Sequence, residues 1–257
     1  MSKPIDEKRL AEAHSRQWFY EFELPDGSQT KSYLPPGVEK VHDTRREMLD
    51  SVLDAELGSE CSNLTAVDLA CHQGWFALQL ARRGFRRVLC VDERESHLDD
   101  TRLMAELAEA RNIDLQRCDL EDATVADIGV HDVTLMLGLL YHLENPVRAL
   151  RLARAVTRKI LVIETQVVPH MGGMVDWGSY LFRRPLMGVF GVIDETGETH
   201  ANEASARGIC LAPSIETLEW MLRRVGFADV RIVPVPEGGY EQLTGKKRVM
   251  MLARVES

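Results

Sequence analysis

Two acidic residues at the ends of neighbouring apolar runs are the first candidates for chemistry in this sequence. Asp68 closes a run that passes through a short turn to Gly74, where an apolar-periodic helix begins. A second apolar run ends in Asp92, eighteen residues after Gly74. A doubly wound sheet holds an adenosine with this order of strand, turn, helix, strand and acid, because the turn backbone approaches the ligand and the second acid takes the ribose hydroxyls. The spacing predicts a nucleoside site.

The residues of the turn indicate which nucleoside fits. A dinucleotide-binding turn carries G-x-G-x-x-G, and the comparable positions here are Ala70, His72 and Gly74, so one glycine remains. Because a pyrophosphate needs close backbone approach at all of them, NAD and FAD are disfavoured. A ligand without phosphates tolerates bulkier residues, which favours S-adenosylmethionine. The candidate cofactor-binding residues of these segments are Asp68, Ala70, His72, Gly74, Asp92 and Glu93.

Further candidates follow later apolar runs. Asp119 and Leu120 close a third run, where a carboxylate can accept a hydrogen bond from an adenine amino group. A fourth run includes Leu137, a further cofactor-binding candidate, and leads into Tyr141 and His142. In open α/β sheets the ligand lies outside the carboxyl ends of the strands, so Tyr141 and His142 are the catalytic candidates. His142 is the first choice for a general base because it titrates near neutral pH. Glu164 closes a fifth run and can also act on the acceptor.

Strands and helices alternate between residues 64 and 164, which predicts a doubly wound, mostly parallel α/β sheet. Expected strands cover 64–69, 87–91, 114–118, 132–137 and 159–164, and expected helices cover 74–83, 97–111, 122–128 and 146–156. Ser96 and Asp99 have the spacing of a capping box for the second long helix. Near the end of the chain we expect a helix over 215–225, capped by Ser214 and Gly226, and strands over 229–235 and 248–254.

Two segments fall outside this alternation. Residues 1–60 form an expected N-terminal extension or cap, in which 18–24 alternate as an aromatic strand and enter an Asp26–Gly27 turn. The rest, 61–257, is the expected catalytic domain. Its residues 165–212 lack periodicity, and an irregular insert of this length commonly forms a lid or substrate wall. We expect this insert, with part of 18–46, to form the acceptor pocket, and Trp177 to contact the substrate.

Several motifs together resemble a known family. The segments V-D-L-A-C-H-Q-G-W-F-A, V-L-C-V-D, G-L-L-Y-H-L-E-N-P-V-R-A-L and I-L-V-I-E-T are similar to those of class I S-adenosylmethionine-dependent methyltransferases. The likeness is greatest to the branch that contains the bacterial tRNA wobble-uridine carboxymethyltransferases, and it extends over residues 60–257. The resemblance implies a seven-stranded sheet whose last strand is antiparallel. It also implies that Asp68 and Gly74 lie at the methionine end of the cofactor, Asp92 at the ribose and Asp119 with Leu120 at the adenine.

The resemblance also concerns the transferred group. It places Tyr141 and Arg248 at positions that face the substrate or cofactor in the tRNA branch. That branch holds the extra carboxylate of carboxy-S-adenosylmethionine with a lysine on an N-terminal strand. The comparable residues here, 18–26, contain Glu21 and Glu23 and no lysine. This departure favours plain methyl transfer.

Composition limits the classes of function that remain. The 257 residues carry a formal net charge of −9, which argues against broad binding to phosphate backbones. No apolar run reaches the roughly 18 residues of a membrane span, the N-terminus lacks the apolar core of a signal peptide, and five scattered cysteines indicate a reducing cytosol. No histidine or cysteine spacing indicates a metal. We therefore expect a cytoplasmic methyltransferase for a small molecule, with oligomeric state open. The alternatives are a tRNA wobble-uridine enzyme and a non-catalytic S-adenosylmethionine-binding protein.

Overall fold

A computed structural model of the chain describes residues 6–58, 61–176, 183–195, 204–205 and 207–256. Its described helices are α1 (Glu7–Ser15), α2 (Lys40–Leu57), α3 (Trp75–Arg82), α4 (Glu95–Leu107), α5 (Val125–Ile128), α6 (Pro146–Val156), α7 (Ile215–Val225) and α8 (Glu241–Thr244). Its described strands are β1 (Thr65–Leu69), β2 (Arg87–Asp92), β3 (Ile113–Arg117), β4 (His131–Leu137), β5 (Thr157–Gln166), β6 (Gly173–Asp176), β7 (Arg183–Leu186), β8 (Phe190–Asp194), β9 (Ile209–Pro213), β10 (Asp229–Ile232) and β11 (Arg248–Arg254).

Seven of these strands form one sheet in the order β10-β11-β5-β4-β1-β2-β3. Strand β1 pairs in parallel with β2 and β4, and β2 pairs in parallel with β3. Helical connections produce this parallel arrangement, because a parallel neighbour requires a crossover that returns the chain to the same end of the sheet. Strand β11 runs antiparallel to both β5 and β10. The predicted fold, a mostly parallel seven-stranded sheet with an antiparallel last strand, is confirmed.

The burial of the central strands explains why they were visible in the sequence. All five residues of β1 are buried, and so are all residues of β2 after Arg87. A parallel strand covered on both faces is a continuous apolar run, so a charged residue inside it stands out. Helix α7 matches its predicted bounds: the Ser214 side chain accepts a hydrogen bond from Thr217 N, and Gly226 follows in the left-handed conformation at φ 109°.

Two predicted elements are wrong. Helix α4 begins at Glu95 after Arg94, which makes no side-chain capping bond, so the predicted Ser96–Asp99 capping box does not form. Residues 18–24 alternate in burial as predicted, but their pairing is limited to two isolated bridges, Trp18 with Ser32 and Glu23 with Gln29. Their backbone donors do not form a strand ladder: Phe22 N donates to the side chain of Thr30 at 2.8 Å, and Leu24 N donates to the main-chain oxygen of Ser28 at 2.9 Å.

The insert contains more regular structure than its sequence suggested. Strands β6 and β7 form one antiparallel hairpin, and β8 and β9 form another. These strands were missed because their faces are exposed: Val192 keeps 80% of its surface in solvent and Ile209 keeps 50%. Half-buried alternation, the signal that reveals a strand in a sequence, is therefore weak here. Trp177, the predicted substrate contact, lies outside the described residues.

The chain divides into two compact units. The first comprises the residues up to 120 together with 131–135 and 235–240, and the second comprises 121–130, 136–234 and the residues from 241 onward. The predicted boundary between a cap over 1–60 and a catalytic domain remains a prediction. Within the described part of the chain, no helix combines the length and apolar character needed to cross a membrane.

Candidate functional site

Asp68 is a buried carboxyl group with an unsatisfied oxygen. It lies on β1 with 3% of its surface exposed, and its Oδ2 atom has no hydrogen-bond partner among the described residues. Burial, with a smaller contribution from the negative charge of Asp92, raises the pKa of Asp68 from an ordinary 3.8 to about 7. Buried polar atoms in native folds are normally hydrogen-bonded, so this unsatisfied oxygen indicates that a bound ligand supplies the hydrogen-bond donor. A cationic donor would satisfy this carboxylate.

The turn after β1 keeps a glycine-like backbone at positions that are not glycine. Ala70 has φ 59° and His72 has φ 52°, and Gly74, which precedes α3, has φ 77°. Side chains with a Cβ atom occupy this left-handed region at a cost of roughly 1–2 kcal/mol per residue. At Gly74 a side chain is also sterically blocked, because an added Cβ would lie 2.4 Å from Thr101 Cγ2. Strain of this kind is common where a backbone must meet a ligand.

Asp92 holds the turn in place. Its Oδ2 accepts from His72 N at 2.9 Å, and its Oδ1 accepts from Arg94 N at 3.0 Å and contacts His97 Nδ1 at 3.1 Å. A carboxylate offers about four acceptor positions on its two oxygens, so these contacts leave capacity for one further donor. The predicted ribose contact is therefore compatible with the geometry. The same residue also fixes the backbone of His72, a role that the sequence did not reveal.

The predicted adenine side lies at the next strand end. Cys118 N, just after the end of β3, donates to Asp92 O at the end of β2 at 2.9 Å, and Asp119 and Leu120 follow Cys118 directly. Leu120 is buried and Asp119 is half-buried. Glu93, beside Asp92, is half-buried and lies 3.8 Å from Arg94. Leu137, at the end of β4, is half-buried and belongs to the second unit.

An N-terminal segment packs against the turn. The Gln73 side chain accepts from Phe19 N at 2.7 Å and donates to Gln17 O at 3.0 Å. The ring of Tyr20 stacks on Trp75 at 5.6 Å with an interplanar angle of 6°, and Phe19 lies 5.1 Å from the ring of His72. The extension thus contributes aromatic side chains to the surroundings of the turn.

The second unit contains a buried group around Arg248. Its Nη1 donates to Glu164 Oε1 at 3.0 Å, its Nη2 to the Tyr141 hydroxyl at 3.1 Å, and its Nε to Gln242 Oε1 at 2.8 Å. The Glu164 side chain is fully buried and 10% of the Arg248 side chain is exposed. Burial lowers the pKa of Arg248, but the charges and hydrogen bonds of Tyr141 and Glu164 outweigh burial and raise it. Two predicted site residues, Tyr141 and Glu164, are therefore both in contact with a third, Arg248.

His142, another predicted residue of this unit, has a partner that sequence reasoning missed. Its Nδ1 lies 2.6 Å from Glu195 Oε2, and the same oxygen accepts from Ser205 N at 2.9 Å and contacts Cys210 Sγ at 3.3 Å. Glu195 and Cys210 lie in the insert, where no motif or periodicity marked them. No cluster of three or more His, Cys, Asp or Glu side chains able to hold a metal ion occurs among the described residues.

Comparisons with known proteins agree with this geometry. A family model for a methyltransferase domain matches residues 66–159, which include the turn, Asp92 and the Tyr141–His142 segment. A curated relative, the tRNA U34 carboxymethyltransferase of Marinobacter nauticus, is 25% identical over 181 residues, which are 70% of this chain and 48% of the relative. The chain thus spans about half the length of that relative.

Solved structures show the same fold. The N-terminal domain of EvdMO1, crystallised in the presence of SAH (S-adenosylhomocysteine) and D-fucose, is 21% identical with a TM-score of 0.67, over 97% of this chain and 95% of that one. Magnesium protoporphyrin IX methyltransferase from Synechocystis PCC 6803, with bound SAH, is 15% identical with a TM-score of 0.56, over 88% of this chain and 90% of that one. The methyltransferase-domain match over residues 66–159 agrees with the predicted resemblance, and these solved structures share the predicted fold. The predicted enzyme class and its cofactor, S-adenosylmethionine, are those of the matched family.

Proposed function

We propose that this chain transfers a methyl group from S-adenosylmethionine to a small-molecule acceptor. The observation that carries the proposal is the buried Asp68 carboxyl, whose Oδ2 lacks a partner among the described residues, at the start of a turn inside the matched methyltransferase domain. The ammonium group of the cofactor's methionine end is the kind of donor that this oxygen requires. NAD carries no ammonium group.

The residues of the first unit fit the rest of the cofactor. Asp92 keeps one acceptor position for a ribose hydroxyl, and the left-handed backbone of Ala70, His72 and Gly74 turns the chain sharply beside it. The cofactor supplies a methyl group already activated by a sulfonium sulfur. The chain therefore has to bind and orient both reactants and to exclude water, which is where most of the rate enhancement of such transfers arises.

The state of Arg248 supports a methyl group over a carboxymethyl group. A carboxy-S-adenosylmethionine site needs positive charge for the extra carboxylate, since a buried carboxylate without a partner costs several kcal/mol. Here the guanidinium of Arg248 is already paired with the buried carboxylate of Glu164. A second carboxylate would meet a neutral pair, and residues 18–26 supply two exposed glutamates and no lysine.

A wobble-uridine enzyme is the second candidate, and the curated relative is the observation that favours it. The net charge of −9 and the pairing of Arg248 favour the small molecule. Competition binding separates the two. We expect S-adenosylmethionine to bind at least as tightly as carboxy-S-adenosylmethionine; a preference of tenfold or more for the carboxylated cofactor, about 1.4 kcal/mol, would support the tRNA enzyme instead.

Calorimetry with SAH tests the proposal itself. We expect SAH to bind without added metal and NAD to show no binding. Incubation with methyl-labelled S-adenosylmethionine and acceptor probes, read by mass spectrometry, then tests transfer. D-fucose is a suitable first probe because it accompanies SAH in the EvdMO1 crystals. Absence of SAH binding would overturn the proposal, and SAH binding without transfer to any acceptor would support a non-catalytic binding protein.

A further inference from the structure

His97 connects the acid at the end of β2 to the turn after β1. Its Nδ1 atom lies 3.1 Å from Asp92 Oδ1, and its ring lies 4.0 Å from the ring of His72. One buried side chain holds the backbone of both histidines, because the Thr101 hydroxyl lies 3.1 Å from His72 O and 2.9 Å from His97 O. All four residues belong to the first unit. The position of the His97 ring beside Asp92 is therefore defined within that unit.

The ribose of S-adenosylmethionine presents more donors than Asp92 has free acceptor positions. Its two adjacent hydroxyl groups can each donate a hydrogen bond. The two oxygens of Asp92 offer about four acceptor positions. Three of them are occupied by His72 N, Arg94 N and His97 Nδ1. One ribose hydroxyl can thus donate to Asp92, and recognition of the other requires a second acceptor.

The contact with Asp92 determines which nitrogen of the His97 ring carries the proton. An ionised carboxylate only accepts hydrogen bonds, so the hydrogen between the two side chains is bound to Nδ1. In a neutral imidazole the other nitrogen, Nε2, is then an acceptor. Nε2 has no hydrogen-bond partner among the described residues, and 15% of the His97 side chain is exposed. His97 therefore carries an acceptor that is available to a ligand, on a ring bonded to the ribose acid.

Glu93 is a rival for the role of second acceptor. It follows Asp92 directly and is half-buried, and its carboxylate lies 3.8 Å from the guanidinium of Arg94. The negative charge of Glu93 is thus already next to a cation. His97 is bonded to the same carboxylate that takes the first hydroxyl, which places two acceptors side by side for two adjacent hydroxyls. This arrangement favours His97 over Glu93.

We propose that His97 is a cofactor-binding residue whose Nε2 accepts a hydrogen bond from one ribose hydroxyl of S-adenosylmethionine, while Asp92 accepts from the other. This inference rests on the proposed function. The Nδ1 atom of His97 donates to Asp92 at the same time and holds the carboxylate in its orientation. The hydrogen-bonded pair recognises the two hydroxyls together, so the site selects a ribonucleoside over a deoxyribonucleoside.

The wild-type protein provides the first test, by nitrogen-15 NMR of histidine-labelled protein at pH 8, with His97→Gln to assign the ring. We expect Nδ1 to carry the proton in the free protein. The Nε2 resonance should move upfield when SAH binds, because an unprotonated ring nitrogen shifts in this direction when it accepts a hydrogen bond. Either 2′-deoxy-SAH or 3′-deoxy-SAH, whichever lacks the bonded hydroxyl, should leave Nε2 unshifted. Protonation at Nε2, or the same response to all three ligands, would overturn the inference.

Calorimetry separates a contact with the ribose from an effect on the fold. Asparagine places an amide nitrogen near the position of Nδ1 and has no atom in place of Nε2, so His97→Asn keeps the donor to Asp92 and removes the acceptor. The wild type should bind each deoxy ligand about 3- to 10-fold more weakly than SAH, the range expected for one hydrogen bond. His97→Asn should bind SAH more weakly by a similar factor and should lose its discrimination against one of the two deoxy ligands.

Two further variants test the assignment. His170→Asn alters an exposed histidine–carboxylate pair, in which His170 Nδ1 lies 3.0 Å from Glu216 Oε2, and should bind all three ligands as the wild type does. Glu93→Gln tests the rival acceptor and should still discriminate against both deoxy ligands. An equal loss of affinity for all three ligands in His97→Asn would show an effect on the fold alone. That result, or a loss of discrimination in Glu93→Gln instead of His97→Asn, would refute the assignment of His97.

The proposed function and the assignment of His97 fail in different ways. If SAH does not bind the wild type, the proposed function fails and the assignment fails with it. If SAH binds and His97→Asn discriminates among the three ligands as the wild type does, the proposed function stands and only the assignment fails. If His97→Asn does not fold, the response of the wild-type Nε2 resonance to the three ligands decides.

Discussion

Replacing Asp68 by asparagine should stabilise the fold and weaken cofactor binding. The reason is that the wild-type carboxyl is buried beside Asp92, with its Oδ2 lacking a partner among the described residues. Asparagine has nearly the same shape and no charge. If Asp68 instead served the fold as a capping acid, the same change would destabilise it. The variant therefore separates a residue kept for a ligand from a residue kept for structure.

The magnitude follows from the pKa of Asp68, which rises from 3.8 to about 7. The unfolded chain releases this proton near pH 4, and the folded chain holds it to about pH 7. The contribution of Asp68 to the free energy of unfolding is therefore highest below pH 4, falls between pH 4 and pH 7, and levels off above pH 7. About three pKa units correspond to about 4 kcal/mol. Asp68→Asn lacks this fall and should exceed the wild type by up to about 4 kcal/mol at pH 8.

Binding should depend on pH in the opposite direction. A ligand ammonium group requires the ionised carboxylate, so below pH 7 binding must first remove the proton from Asp68. The affinity for SAH should fall about tenfold between pH 8 and pH 6, or about 1.4 kcal/mol. Asp68→Asn should bind SAH weakly and without this dependence.

Urea denaturation of both proteins between pH 4 and pH 8, with calorimetry of SAH at pH 6 and pH 8, measures both effects. The difference in stability between the two proteins cancels the contributions of titrating groups that do not interact with Asp68. An asparagine variant that is less stable than the wild type at pH 8, or one that binds SAH normally, would refute the reasoning.

Three further changes test the surroundings of both candidate sites. Asp92→Ala should lower the affinity for SAH by about 1–3 kcal/mol in calorimetry, and an unchanged affinity would contradict the predicted ribose contact. Gly74→Ala should destabilise the fold by about 2 kcal/mol or more, because the added Cβ would lie 2.4 Å from Thr101 Cγ2 in a residue with φ 77°. Adding Thr101→Ala removes the clash and should restore part of the lost stability in thermal melts; no restoration would show that the clash with Thr101 is not the cause. Glu164→Gln should lower the free energy of unfolding by about 3 kcal/mol, because it leaves the charge of the buried Arg248 guanidinium uncompensated. It should also improve the binding of carboxy-S-adenosylmethionine relative to S-adenosylmethionine. Unchanged selectivity would show that Arg248 does not determine which group is transferred.

The sheet could be predicted because its signals are local. Strand β1 is buried at every residue, so it appears in the sequence as an uninterrupted apolar run with one acid inside it. Helix α7 is bounded by Ser214 and Gly226, each of which satisfies backbone groups within a few residues. The pairing of residues 18–24, by contrast, could not be predicted from local signals. The alternating burial of this segment is real, but two of its backbone donors bond to the side chains of Thr30 and Gln73, and these bonds depend on packing with residues outside the segment.

The candidate site likewise contains residues that could be predicted from the sequence and one, Glu195, that could not. Tyr141, Glu164 and Arg248 were predicted from strand ends and resemblance, and Arg248 contacts both of the others in the structure. Glu195 was not predicted, because it lies 53 positions from His142 in a hairpin without apolar alternation. Nothing in a single sequence indicates which acid of an irregular insert is buried, since burial there depends on how the insert folds back.

The turn after β1 has the backbone conformation of a glycine-rich turn although two of its three key positions are not glycine. The loss of two glycines argued against a pyrophosphate, yet Ala70 and His72 still adopt the left-handed conformation that glycine would supply. The structure offsets this strain through hydrogen bonds to His72: Asp92 accepts from its N–H at 2.9 Å, and Thr101 donates to its carbonyl at 3.1 Å. The backbone path is therefore preserved, and what differs is the Cβ atoms that project from it. Ala70 and His72 carry side chains on the turn against which a dinucleotide fold holds its pyrophosphate, which disfavours NAD, and the buried carboxyl of Asp68 favours a ligand that carries a cation.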